Sequence, residues 1–271
     1  MIPYLTSDQT SFHVGPVTLH AFGMLVATGI IVASRIMERR SMRLGLDPAV
    51  SASLVIWVLV GGFIGAHLVD ALIYHFDYTR QDPWRLLRIW EGISSFGGFL
   101  GASIGAALFL RTYKLGADAW HYLDITSFAF PVGWLFGRTG CFTAHDHPGV
   151  RTDFFLAVQY PGGPRHDLGL YEVIYSAFII VVFLVLDRRP RRPGTYTALL
   201  AVLYAPVRFG FDFLRVADVR YPAEYGLTPG QYGAIVLFIV GVILLVKARR
   251  GDFGEALQPL PPSRKKADAA T

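Results

Sequence analysis

The sequence predicts an all-α integral membrane protein of seven transmembrane helices, with the N-terminus outside and the C-terminus cytoplasmic. Three observations carry this. Of 271 residues, 53% are apolar and only 17% charged, where a soluble chain carries about 25% charged residues. Seven apolar stretches approach the roughly 20 residues that a bilayer crossing requires. Lys and Arg are divided unequally between alternate loops, and the positive-inside rule converts that bias into an orientation. A soluble enzyme, a disordered chain and a disulfide scaffold are excluded. Cys141 is the single cysteine, so neither an intrachain disulfide nor a zinc cluster of several thiolates can form. The net charge of +5 sits in loops between spans, so it reports topology, and nucleic acid is not an expected partner.

In chain order, the first span is expected at Val17–Met37. No Lys or Arg precedes Arg35 and no small-residue cleavage site follows the stretch, so a removable signal is not expected. Arg35, Arg39, Arg40 and Arg43 then mark the inner side. The second span, Val50–Tyr74, carries His67 and Asp70 one helical turn apart. Pro83–Glu91 (PWRLLRIWE) puts Arg85, Arg88 and Glu91 on one stripe and Trp84, Leu87 and Trp90 on another, the pattern of a helix lying flat on the outer leaflet. The third span, Phe96–Leu110, is short and carries Gly97, Gly98, Gly101 and Gly105, which suits tight helix packing or a break near a site. Arg111 and Lys114 follow it, and a fourth span is expected at Ala119–Gly137, with His121 and Asp124 on one face.

Thr143–Asp167 is too long for a structureless loop and reads as a small outer head carrying His145, Asp146, His147, Arg151, Asp153, Arg165 and His166. Leu168–Leu186, Thr195–Leu214 and Gly230–Lys247 complete the spans. The arginine run Arg188, Arg189, Arg191 and Arg192 suits anionic headgroups. Residues 1–250 therefore form one transmembrane domain with 143–167 as its head, and 251–271 read as a disordered tail. Inner loops and tail, with Lys247, Arg249, Arg250, Arg264, Lys265 and Lys266, hold sixteen positive charges, against seven outside at Arg80, Arg85, Arg88, Arg151, Arg165, Arg215 and Arg220. Arg138 and Arg208 remain, each at the outer end of a span.

A charge at membrane depth is costly, so it is paired or functional. Arg208, Asp212 and Arg215 (RFGFDFLR) are spaced to stack on one helix face. Two cations beside one carboxylate leave a positive site: either an interface anchor or, preferred here, a phosphate clamp, because guanidinium forks match phosphate. Arg138 lies in GRTGCF between Gly137 and Gly140, which permit close backbone approach. Glu172, near the start of its helix, suits the helix dipole and a buried arginine partner. The His67/Asp70 and His121/Asp124 pairs read as structural hydrogen bonds. His145-Asp146-His147 invites a metal, but sequence neighbours hold one ion only with a distant third ligand, and no metal or cofactor is expected. A general-base histidine fits this stretch better, and Cys141 reads as a small helix-end residue.

The motifs LHAFGM, SSFGGFLGA, GRTGCFTAHDHPG, RHDLGLYE, RFGFDFLR and TPGQY, in that order, resemble those of the bacterial phosphatidylglycerol–prolipoprotein diacylglyceryl transferases. The resemblance covers nearly all seven helices. It implies transfer of a diacylglyceryl group from phosphatidylglycerol to the lipobox cysteine thiol of a prelipoprotein, with release of glycerol phosphate, at the outer face of the bacterial cytoplasmic (inner) membrane. The partners implied are phosphatidylglycerol, prelipoprotein signal peptides and membrane lipids. Residue by residue, Arg138 and Arg208 match the family's arginines near the lipid phosphate, Asp212 and Arg215 its helix-six pair, Glu172 its glutamate after tyrosine, and Asp146 and Gly149 its signature acid and glycine. The same motifs make His20, Gly97, Gly98, Gly140, His166 and Tyr171 expected substrate-binding positions.

The departures are as informative. Phe96 stands where the family commonly has a histidine, Cys141 where it has asparagine, Phe22 where it has tyrosine and His67 where it has arginine. Phenylalanine can take no proton, so His145 or His147, flanking Asp146, is expected to deprotonate the thiol, with Arg138, Arg208, Asp146 and Glu172 completing the catalytic set. Two alternatives stand beside this: a diverged paralogue acting on another lipid donor or acceptor, or a lipid-binding membrane protein without chemistry.

Overall fold

A computed structural model of the chain describes residues 1–6, 9–15, 17–89, 91–92, 94–216 and 226–260. Trp90, Arg220, Arg264, Lys265 and Lys266 lie outside the described residues. The helices are α1 (Ala21–Arg43), α2 (Pro48–Val69), α3 (Phe76–Gln81), α4 (Ser95–Tyr113), α5 (Ala119–Ala144), α6 (Leu168–Leu186), α7 (Thr195–Phe211) and α8 (Pro229–Arg250). Among the described residues, two small antiparallel sheets accompany them. One pairs β1 (Ser11–Val14) with β2 (Val17–His20); the other has the order β3 (Pro148–Arg151), β5 (Gly163–Asp167), β4 (Val158–Tyr160).

Among the described residues, five helices are long and apolar enough to cross a membrane: Ala21–Arg43, Pro48–Tyr74, Leu168–Leu186, Thr195–Leu214 and Gly230–Arg250. α4 and α5 are continuous helices of 19 and 26 residues where two more crossings are expected. Ile31, Ile56, Phe63, Val181 and Val236 are exposed along these helices, an apolar surface that water would not tolerate and lipid solvates. The chain is a multi-pass membrane protein. Its contacts divide into two compact units, Leu46–Tyr122 and Met1–Gly45 with Leu123–Thr271.

In the first unit, Asp47 caps α2 by accepting from the Ala49 amide at 2.8 Å, and Pro48 occupies the first turn, where its missing N–H costs nothing. α2 and α4 meet through glycines: a Cβ on Gly65 would lie 2.5 Å from the Gly97 carbonyl, and Gly61 faces Gly101 and Gly105 in the same way. These small residues let the two backbones touch, so the glycine-rich helix is packed tightly and unbroken. α2 ends in a wider turn over Asp70–Tyr74. Asp70 is buried there, and Arg85 (Nη2 to Oδ2, 2.9 Å) and His75 (3.2 Å) supply its partners. That pairing reshapes Pro83–Glu91. Instead of an interfacial α-helix, Pro83–Leu87 forms a short 3-10 turn with Arg85 folded inward at 6% exposure, while Trp84, at 70%, and Leu87 point out.

In the second unit, the first long helix begins at Ala21, later than expected, because Val17–His20 pairs as a strand with Ser11–Val14. α1 and α5 approach at Gly29, whose added Cβ would meet the Phe136 Cβ at 2.8 Å. At the Arg43 end of α1, Arg40 donates to Asp187 Oδ1 at 2.6 Å and lies 3.9 Å over the Phe128 ring. Ile179, Phe183 and Tyr196 form the buried core beside it. Beyond residue 251, where a tail is expected, Phe253 packs on Gly194, and the Leu260 amide donates to the Arg43 carbonyl at 2.8 Å. The stretch where an outer head is expected carries the three-stranded β3–β5–β4 sheet.

Candidate active site

α5 runs two turns past its expected end, to Ala144, and so presents Trp134, Arg138 and Cys141 at i, i+4 and i+7 on one face. Arg138 is buried, with its Cζ 4.4 Å from the Trp134 ring centroid. Its Nε lies 2.8 Å from Glu172 Oε2 on α6. Glu172 is buried too and also accepts from Trp134 Nε1 at 2.9 Å and from the Tyr204 hydroxyl at 3.3 Å. A carboxylate and guanidinium removed from water in this way are tolerated because each is paired and further hydrogen-bonded.

The other side of the arginine faces the head. Nη1 donates to His147 Nε2 at 3.1 Å and lies 3.8 Å from Cys141 Sγ. With Nε2 accepting, His147 carries its proton on Nδ1 and donates it to Asp146 Oδ1. Asp146, His147 and Arg138 thus form one hydrogen-bonded line, which the ion pair of Arg138 with Glu172 extends. The ligand atoms of Cys141, Asp146 and His147 lie within 4.8 Å of one another, but the cation they face is the Arg138 guanidinium. A divalent ion there would have to enter against that charge.

The second arginine cluster stands where α7 tightens into a 3-10 turn over Asp212–Leu214. Arg208 Nη1 donates to Asp212 Oδ1 at 2.6 Å, and Arg215 Nη1 lies 3.7 Å from the same oxygen. Arg215 has extended backbone, so it joins Asp212 from beyond the helix rather than along the continuous face that its spacing suggests. Thr228 donates to Asp212 Oδ2, and Thr228 and Gln231 cap α8 reciprocally. A Cβ on Gly230 would lie 3.0 Å from that carboxylate and 3.1 Å from Arg208 Nη2. The TPGQY motif is therefore the floor of the arginine cluster.

His145 is turned away from this line. Its Nε2 accepts from the Leu5 amide and its Nδ1 meets Asp167 Oδ2, each at 3.0 Å, so neither ring nitrogen is open to a substrate. Tyr160 donates to the same Asp167 oxygen at 2.7 Å; burial, reinforced by that carboxylate, pushes its phenol pKa up and keeps it a donor. His166 Nδ1 is 2.7 Å from the Tyr171 hydroxyl, and burial holds this imidazole below the ordinary histidine range. His20 is exposed, with Nδ1 3.0 Å from Ser11 Oγ.

The expected glycines meet protein. A Cβ on Gly149 would lie 2.7 Å from the Leu214 carbonyl, and one on Gly140 would lie 3.0 Å from the Phe22 ring. Gly97 packs on α2, with Gly98 beside it in ordinary contact with Ala66. Phe96 is half exposed on α4. His67 and Asp70 do not bond each other: His67 Nδ1 is 3.5 Å from the Gly92 carbonyl. Asp124 accepts from the amide and hydroxyl of Thr197 at 2.9 and 2.8 Å.

Sequence reasoning missed Trp134, Asp167, Tyr204 and Thr228. Trp134 and Tyr204 each stand four residues before a chosen arginine, and Thr228 with Gln231 has capping-box spacing. Those signals are legible afterwards and common enough to pass unnoticed.

A family model described as prolipoprotein diacylglyceryl transferase matches residues 9–247. The phosphatidylglycerol–prolipoprotein diacylglyceryl transferase of Chromohalobacter salexigens is 34% identical over 268 residues, covering 94% of this chain and 98% of that protein. The protein of the same description from Pseudomonas paraeruginosa is 30% identical over 270 residues, covering 96% and 99%. That from Pasteurella multocida is 30% identical over 252 residues, covering 89% and 92%.

Proposed function

This chain belongs to the prolipoprotein diacylglyceryl transferase family and is a diacylglyceryl transferase, and we propose a course for its reaction from the Arg138 line. The donor is phosphatidylglycerol and the acceptor the lipobox cysteine thiol of a prelipoprotein. A free thiol has a pKa near 8.5, so at neutral pH it needs a base. His147 serves: Nε2 takes the thiol proton while Nδ1–H stays on Asp146. The thiolate sulfur attacks the glycerol carbon that bears the phosphate, the S–C bond forms, the C–O bond breaks, and glycerol phosphate leaves with the electron pair.

The observation that carries this course is the Nη1–Nε2 contact at 3.1 Å. A phosphate oxygen that draws Arg138 Nη1 to itself releases His147 Nε2, so donor binding and base activation are one event. Glu172 keeps Nε of the same guanidinium and holds the group in place. Arg208, with Arg215 and Asp212 behind it, supplies the second positive contact for charge developing on the departing phosphate, where a water-poor site makes such contacts strongest. In this reading the seven helices α1, α2 and α4 to α8 all cross the bacterial cytoplasmic membrane, the N-terminus is outside, and the site opens to the outer leaflet. The positive-inside distribution supports that orientation.

Phe96 and Cys141, both polar-to-other departures from the family pattern, favour a second reading in which the donor or acceptor differs. One experiment separates them. A bacterium depleted of its own transferase is supplied with this chain, and a reporter lipobox cysteine is weighed by mass spectrometry. A diacylglyceryl mass gain is the expected result. No gain from well-expressed, membrane-inserted protein overturns the reading in favour of another donor or acceptor.

A further inference from the structure

We propose that His145 is a positioning residue for this transfer: its ring ties the N-terminal segment, β4 and the start of α6 into one polar node that sets Asp146 and His147 against Arg138. The proposal rests on the reading of His147 and Arg138 given above. His145 has φ +51, a left-handed conformation that side-chain-bearing residues rarely adopt and that persists only where the surroundings over-determine it. The ring is what over-determines it. Its side chain is 1% exposed, Asp167 and the Leu5 amide occupy its two nitrogens at 3.0 Å each, and Tyr4 stacks on it with ring centroids 4.1 Å apart. Tyr160 closes the node edge-on at 5.2 Å.

Each partner belongs to a different piece of chain. The segment bearing Tyr4 and Leu5 is laced to the head by Ile2, which donates to the Ala157 carbonyl at 2.9 Å and accepts from the Gln159 amide at 3.0 Å. Asp167 uses its other oxygen to cap α6 at the Leu170 amide, 2.9 Å away. One turn and a half further along α6 stands Glu172, the counter-ion of Arg138. On the far side of the reacting pair, the His147 carbonyl accepts from the Leu168 amide at 3.1 Å. Asp146 and His147 are therefore bracketed: the ring before them and the carbonyl after them are both fastened to the first residues of the helix that also orients Arg138. With both nitrogens committed, the His145 ring carries no proton to or from a thiol and acts through its neighbours.

Full-length His145→Gly and His145→Asn test this by steady-state transfer from phosphatidylglycerol vesicles to a lipobox peptide. Glycine keeps the turn without strain and deletes the ring; kcat is expected to fall about a hundredfold, the scale of a misplacement near 1 Å, with KM for lipid within about twofold. Asparagine tolerates the left-handed turn, and its amide can reach Asp167 as Nδ1 does, so it is expected to recover at least about tenfold of that loss. A glycine variant with wild-type kcat overturns the proposal, as does an asparagine variant no better than glycine. The 15N shift of His147 Nε2 reports its bond to Arg138 without turnover; it is expected to move in His145→Gly, and an unchanged shift overturns the proposal. Wild-type protein that transfers nothing would refute the reaction reading alone, the shift still deciding the positioning. If His145→Gly fails to fold, Tyr160→Phe is expected to lower kcat about threefold to tenfold, and an unchanged kcat overturns the proposal.

Discussion

Arg138 Nη1 lies 3.1 Å from His147 Nε2 while Nε of the same side chain lies 2.8 Å from Glu172. One buried cation thus holds a base with one end and a carboxylate with the other. In the proposed course an anion that competes for Nη1 changes the state of the histidine.

Arg138→Ala and Arg208→Ala each remove a guanidinium that the proposed course sets against the departing phosphate. Loss of one such donor costs about 2.7–4 kcal/mol of transition-state stabilisation, so turnover of lipobox peptide should fall by about a hundredfold or more. Membrane-inserted protein should remain at wild-type abundance by immunoblot. A loss confined to abundance would mark a structural arginine.

In the proposed course His147→Gln removes the base, and it should lower kcat by about 10²-fold to 10⁴-fold. Asp146→Asn should cost less, because it loosens the Nδ1–H contact and leaves Nε2 in place. Single-turnover assays with both variants check the order; equal activities in His147→Gln and wild type would remove the histidine from the mechanism.

Glu172→Ala leaves Arg138 buried without its carboxylate and should destabilise the protein by about 3–5 kcal/mol. The double variant Arg138→Met, Glu172→Leu should regain most of that stability, since an apolar pair needs no counter-charge, and should remain inactive. Denaturant titration in detergent micelles, read beside activity, separates the two effects.

At the Arg43 end of α1, burial pushes the Asp187 carboxyl up, but the hydrogen bond and charge of Arg40, with Tyr196 and Arg43, outweigh it and hold the pKa below the ordinary 3.8. A depressed carboxylate contributes stability that is fully present above the unfolded value and is lost as pH falls through the folded one. The thermal midpoint should therefore drop more steeply below about pH 4 in the wild type than in Asp187→Asn, which lacks the titrating group. Parallel curves would show that the Arg40 pair contributes nothing.

The membrane class, the long helices and the two arginine clusters were legible in the sequence, because apolar length and charge at depth are local properties that a bilayer forces to be meaningful. The spacing of Arg208 and Asp212 read correctly as neighbours, since four residues along a helix always meet. Arg215 did not follow its spacing, for the helix stops being α at Asp212. The Val17–His20 strand was hidden inside an apolar run that suits strand and helix alike. Pro83–Glu91 kept its amphipathic look but lost its helix to the buried charge of Asp70, a residue many positions away.

What the sequence determined by itself is the solvent the chain lives in, the placing of its long helices, and the charged residue types that lie near their ends. Only the tertiary structure decided which partners each of two histidines holds. His145 and His147 flank the same aspartate and are indistinguishable in sequence. Side chains two residues apart can point to different partners, and here one ring meets Leu5 and Asp167 while the other meets Arg138. A histidine's role is set by what its two nitrogens already hold, and those partners come from residues up to 140 positions away, which no local pattern encodes.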